Sequence, residues 1–66
     1  MKINIEELKK AIDWLRANTN QTEVSVYSGD GNKLVLNAMD RLDAEVEIVL
    51  YANSQMLPKI KRTEVL

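Results

Sequence analysis

Residues 22–39 read Thr22-Glu23-Val24-Ser25-Val26-Tyr27-Ser28-Gly29-Asp30-Gly31-Asn32-Lys33-Leu34-Val35-Leu36-Asn37-Ala38-Met39, and their period decides the fold. Val24 and Val26 alternate with Glu23, Ser25 and Tyr27, the period of two that marks a half-buried strand. Gly29-Asp30-Gly31 then supplies a short loop in which Gly31 takes the left-handed position of a type I turn followed by a bulge. Lys33 to Met39 is the returning strand. Pairing Ser28 with Asn32 sets Val26 opposite Leu34 and Val24 opposite Leu36, so both strands turn their apolar residues to one face.

Downstream, Asp40-Arg41-Leu42-Asp43 reads as a second turn. Ala44 to Ala52 is a third strand with Val46, Ile48 and Leu50 on one face. Pro58 argues against a central strand at residues 53–58, and Lys59 to Val65 reads as a short edge strand, with an extended arm as the alternative. Upstream the period is helical. Asn4 is a good N-cap, Glu7 stands three residues on to complete a capping box, and Ile3 and Leu8 are placed as a hydrophobic staple. Glu6 and Lys10 add an i,i+4 pair, and Asn18-Thr19-Asn20-Gln21 ends the helix, which spans residues 5–18.

The expected architecture is a single α+β domain over 1–66, one N-terminal helix packed on an antiparallel meander of three or four strands at about 22–28, 33–39, 44–52 and 59–65. Its expected core joins Ile5, Leu8, Ile12 and Leu15 to Val24, Val26, Leu34, Leu36, Val46, Ile48 and Leu50. One residue resists this pattern. At about 100° per residue, Trp14 falls roughly 120° from the centre of the Ile5–Leu8–Ala11–Ile12–Leu15 stripe, beside Lys10 and Glu7. An indole there is a candidate contact with a partner, unless the helix lies askew and folds it over the sheet or against Met56 and Leu57.

The sheet offers a second candidate surface. With Leu36 opposite Ile48, the face away from the helix carries the rows Tyr27–Lys33–Tyr51, Ser25–Val35–Val49, Glu23–Asn37–Glu47 and Met39–Glu45. Tyr27, Val35, Val49 and Tyr51 form an apolar, aromatic end, and Lys33 is placed between the tyrosines for a cation–π contact. The opposite end is acidic. Lys59, Lys61 and Arg62 are the one basic cluster, which with Lys33 makes a nucleic-acid surface the alternative reading, although lysines on an edge strand also discourage unwanted pairing.

Composition narrows the chemistry. Sixty-six residues make one small core, and there is no cysteine or histidine among them. Disulfides are excluded, and the commonest zinc ligands are missing. A serine or threonine nucleophile would need a lysine or carboxylate base, and Ser25, Ser28 and Ser54 sit in no such motif. We therefore expect no catalysis, no cofactor and no metal. Asp40, Asp43 and Glu45 at a turn read as solvated carboxylates.

Ten acidic and nine basic residues leave a net charge of −1, too balanced for a strongly basic nucleic-acid binder. Met1-Lys2-Ile3-Asn4 leads straight into the helix without an apolar signal core, so a cytoplasmic protein away from the membrane is expected. The expected function is a non-enzymatic interaction module that binds or inhibits a larger protein, as a homodimer, through Trp14 and Lys10 or through Tyr27, Lys33, Val35, Val49 and Tyr51. A single-stranded nucleic-acid binder using Lys33, Lys59, Lys61 and Arg62 is the first alternative, and a structural subunit that only self-associates is the second.

Overall fold

A computed structural model describes residues 1–28, 31–52 and 59–64. Helix α1 runs Ile5–Asn18 and is followed by strands β1 (Ser25–Ser28), β2 (Lys33–Met39), β3 (Ala44–Tyr51) and β4 (Lys59–Glu64). The strands form one antiparallel sheet in the order β1-β2-β3-β4, so the meander has four members. Gly29, Asp30, Met56 and Leu57 lie outside the described residues, as does Val65. The α+β reading and the helix limits match the sequence expectation.

Local chemistry starts α1 as expected. The Asn4 side chain accepts hydrogen bonds from the backbone of Glu6 at 2.8 Å and Glu7 at 3.1 Å, satisfying donors that a helix start leaves open. Ile3 and Leu8 both pack on the core. The i,i+4 ion pair that forms is Lys9 with Asp13 at 2.7 Å. At the other end, the buried Thr19 gives its backbone N–H and its hydroxyl to the Leu15 carbonyl and accepts from Gln21.

β1 is shorter than the expected 22–28. After Asn18 the chain must pass from the helix layer to the sheet, and residues 19–24 make that connection before pairing begins at Ser25. Val24 is spent on this descent, yet its side chain still packs against the core.

The hairpin register also differs from expectation. Ser28 faces Leu34, not Asn32, and Val26 faces Leu36. The slip is two residues, so every side chain keeps its face: alternation specifies parity, and an even shift preserves it. Gly31 does take the left-handed conformation, φ +83°. From β2 to β3 the register is the expected one, with Leu36 opposite Ile48 and Val35 opposite Val49.

The core lies between α1 and the central strands: Ala11, Leu36, Val46, Ile48 and Leu50 are buried, with Leu8, Trp14, Leu15, Val24 and Leu34 packed on them. Three expected core residues are exposed. Ile5 is 80% exposed, Val26 56% and Ile12 44%. Compared with its Ile5–Leu15 stripe, the helix is rolled by roughly a sixth of a turn. Trp14 turns inward and Ile5 and Ile12 turn out, while Glu7, seven residues before Trp14 and only about 20° away, is carried inward with it. Val26 is open for a different reason: a helix about 10–12 Å across covers little more than two strands spaced about 4.8 Å apart, and β1 is at the edge.

Candidate interaction surface on the far sheet face

On the face away from α1, the register lays out cross-strand rows. Tyr27, Val35, Val49 and Lys59 form one, and Lys33 faces Tyr51 in the next. Ser25, Asn37, Glu47 and Lys61 follow in the other direction, then Met39, Glu45 and Thr63. The two-residue slip in the first hairpin moves Tyr27 from the expected row with Lys33 and Tyr51 to the row of Val35 and Val49. Apolar area is thereby concentrated. Val35 is only 2% exposed although it stands on the side opposite the helix, and Tyr27 beside it is 50% exposed.

The cation–π contact forms with a different lysine from the expected one. Lys59 places its Nζ 5.7 Å from the centre of the Tyr51 ring. The reason is register: Lys59 faces Val49, two residues before Tyr51, so its stem runs diagonally across the row to the ring. Lys33, directly opposite Tyr51, is partly buried. The aromatic end thus holds two lysines, while Glu47 faces Lys61 and Glu45 faces Thr63 at the acidic end. There Glu23, Glu45, Asn37 and Met39 line part of a hollow of about 410 Å³.

The basic cluster is divided by strand alternation. Lys59 and Lys61 share the far face with Lys33, but Arg62 is on the helix side, where its Nε meets the Asp40 carboxylate at 2.5 Å. The other Asp40 oxygen accepts from the backbone N–H groups of Leu42 at 2.8 Å and Ala44 at 3.0 Å. Hydrogen bonding from Arg62 foremost, then from the Ala44 backbone, holds the Asp40 carboxyl below the ordinary carboxylate range. This aspartate organises the second turn, in which Asp43 adopts φ 59°. The same turn is tied to the helix end, since Arg41 donates its backbone N–H to the Asn18 carbonyl and its Nε to the Asn20 side chain.

The helix candidates part company in the same way. Trp14 is partly buried and packs on the core, while Lys10 is exposed. Beside Trp14 the Glu7 carboxylate is buried, with its Oε2 accepting no hydrogen bond. Sequence reasoning had no sign of that burial, because it followed the apolar stripe and placed Glu7 among the exposed positions. Lys59 was legible as an edge-strand lysine, but its ring contact depends on the register of β3 with β4. Among the described residues, no three acidic side chains gather as a metal site, and no helix is long and apolar enough to cross a membrane.

No known protein family, curated protein or solved structure matches this chain.

Proposed function

We propose that the protein is a non-enzymatic binding module, working as a homodimer, that recognises a larger protein through the Tyr27–Val35–Val49–Tyr51 end of its far sheet face. The observation that supports this is the half-exposed Tyr27 ring standing in one row with Val35 and Val49 on the face away from the helix. Around this row stand lysine stems, the arrangement of apolar centre and polar rim through which small surfaces obtain affinity. Tyr27 supplies a large aromatic body already fixed on a strand, so little side-chain freedom is lost when a partner covers it. Trp14 has no part in this reading, because its indole is engaged with the core.

The test is affinity capture from the native host with tagged wild type, Tyr27→Ala and Tyr51→Ala. Both substitutions should leave the circular dichroism spectrum in place and reduce retention of the captured protein at least fivefold. Equal capture by all three would sink the reading. A second reading has one observation behind it: Lys33, Lys59 and Lys61 share this face with both tyrosines, as a stacking surface for single-stranded nucleic acid would require. It demands filter binding that falls steeply between 50 and 200 mM salt, roughly as counterions are released. Arg62, held by Asp40, is left out of that surface.

A further inference from the structure

The two edges of the sheet are protected differently. β4 carries Lys59, Lys61 and Arg62, the charges with which edge strands discourage pairing to another chain. β1 is Ser25-Val26-Tyr27-Ser28, with no charge at any position and all four residues exposed. Two-fold symmetry sharpens the contrast, because an isologous interface sets a residue on the axis against its own copy. Antiparallel self-pairing of β4 about Lys61 would place two lysines face to face. About Val26 in β1, the same operation sets valine against valine and Ser25 against the second copy's Tyr27, and no like charges meet.

The apolar groups that the core leaves uncovered collect on this same side. Ile5 and Ile12 lie two turns apart on one flank of α1, and Ile12 shares a hollow of about 420 Å³ with Leu15, Val24 and Ala38 at the approach to β1. Val26 is on the sheet below them. We infer that β1 is a self-association edge: a second copy of this chain pairs with it antiparallel, centred on Val26, to give an eight-stranded sheet in the order 4-3-2-1-1-2-3-4. Backbone N–H and C=O groups of the uncharged edge gain partners, and the two apolar flanks line one shared gutter over the paired valines.

This inference shares only the homodimer with the proposed function, and it stands if no larger partner is found. It adds one consequence to that reading. Tyr27 is on the far face of the same strand, so pairing continues each Tyr27–Val35–Val49 row into the second copy's Ser25–Asn37–Glu47 row and sets the two Tyr27 side chains diagonally across the axis.

Sedimentation equilibrium over a micromolar to millimolar range should give twice the 7.5 kDa chain mass for the wild type. Val26→Lys puts two lysines on the axis and should raise the dimer dissociation constant at least tenfold, with an unchanged circular dichroism spectrum. Ile60→Lys, on the opposite edge, should leave it unchanged. Hydrogen exchange covers the case in which Val26→Lys fails to fold: in the wild type, amides of residues 25–28 should slow as concentration rises while those of residues 59–64 do not. A wild type that is monomeric at millimolar concentration overturns the inference. So does a dimer that survives Val26→Lys but dissociates on Val49→Lys, which would place the contact on the far face.

Discussion

The two flanks of helix α1 invert the usual order. Towards β1, two isoleucines project into solvent, 80% and 44% exposed; towards the other side, a tryptophan packs on the core and a glutamate is buried with a carboxylate oxygen unpartnered. Hydropathy alone would assign these roles the other way round. The difference teaches that the roll of a helix on a sheet answers to its largest side chain and to its smallest. The indole offers on the order of 150–250 Å² of surface to bury, more than any other residue of the helix. Ala11, buried at the centre, lets the backbone approach closely. Glu7 accompanies Trp14 because the two stand seven residues apart on the same side.

The largest effect should come from the buried flank. Trp14→Ala removes a core contact and is expected to destabilise by about 2–4 kcal/mol, measured by urea denaturation followed by circular dichroism. A loss below about 0.5 kcal/mol would place the indole outside the core and restore it as a contact residue. Glu7→Gln keeps the shape while replacing the carboxylate whose Oε2 is buried without a hydrogen bond, and should stabilise by about 1 kcal/mol. If it destabilises instead, the carboxylate has a favourable interaction that the packing of this flank conceals.

Acid probes the same side of the molecule through Arg62 and Asp40. The Asp40 carboxyl is lowered in the folded state, chiefly by the hydrogen bond from Arg62. Its contribution is therefore fully present above the unfolded carboxylate value and is lost as pH falls through the lowered folded value. Thermal melts should show a falling midpoint on acidification below the ordinary carboxylate range, and Asp40→Asn should flatten that limb. An unaltered acid limb in the variant would remove Asp40 as its source. The smallest change belongs to the exposed flank, where Ile5→Ser should alter stability by no more than about 0.5 kcal/mol. A loss like that of Trp14→Ala would mean that Ile5 is covered, and a loss that grows with protein concentration would mean a second copy covers it.

The far and near faces of the sheet give the second lesson. Alternation along β2 and β3 assigned every side chain of those strands to its side, and the β2–β3 register followed from setting Leu36 against Ile48. The Tyr27 row did not follow, because Ser28 opposite Asn32 and Ser28 opposite Leu34 give the same alternation and differ only in the length of the loop between them. Parity is written in each strand, whereas the choice among registers that differ by two residues depends on how the strands settle together. The cation over Tyr51 was hidden for the same reason, since it needs the alignment of β3 with a strand that the sequence marked only weakly.

What the chain determines by itself is local: the Asn4 cap, the helix from Ile5 to Asn18, the left-handed Gly31, the alternation that gives each strand two chemically different sides, and the uncharged run from Ser25 to Ser28. These are short-range preferences of backbone and side chain, and they hold wherever the segment is placed. Tertiary structure alone decided the roll of α1, the two-residue slip of the first hairpin, and the exposure of Val26 at an edge too wide for one helix to cover. Each of those choices lies between arrangements that satisfy the local pattern equally well, so only the surface buried when the elements meet can separate them.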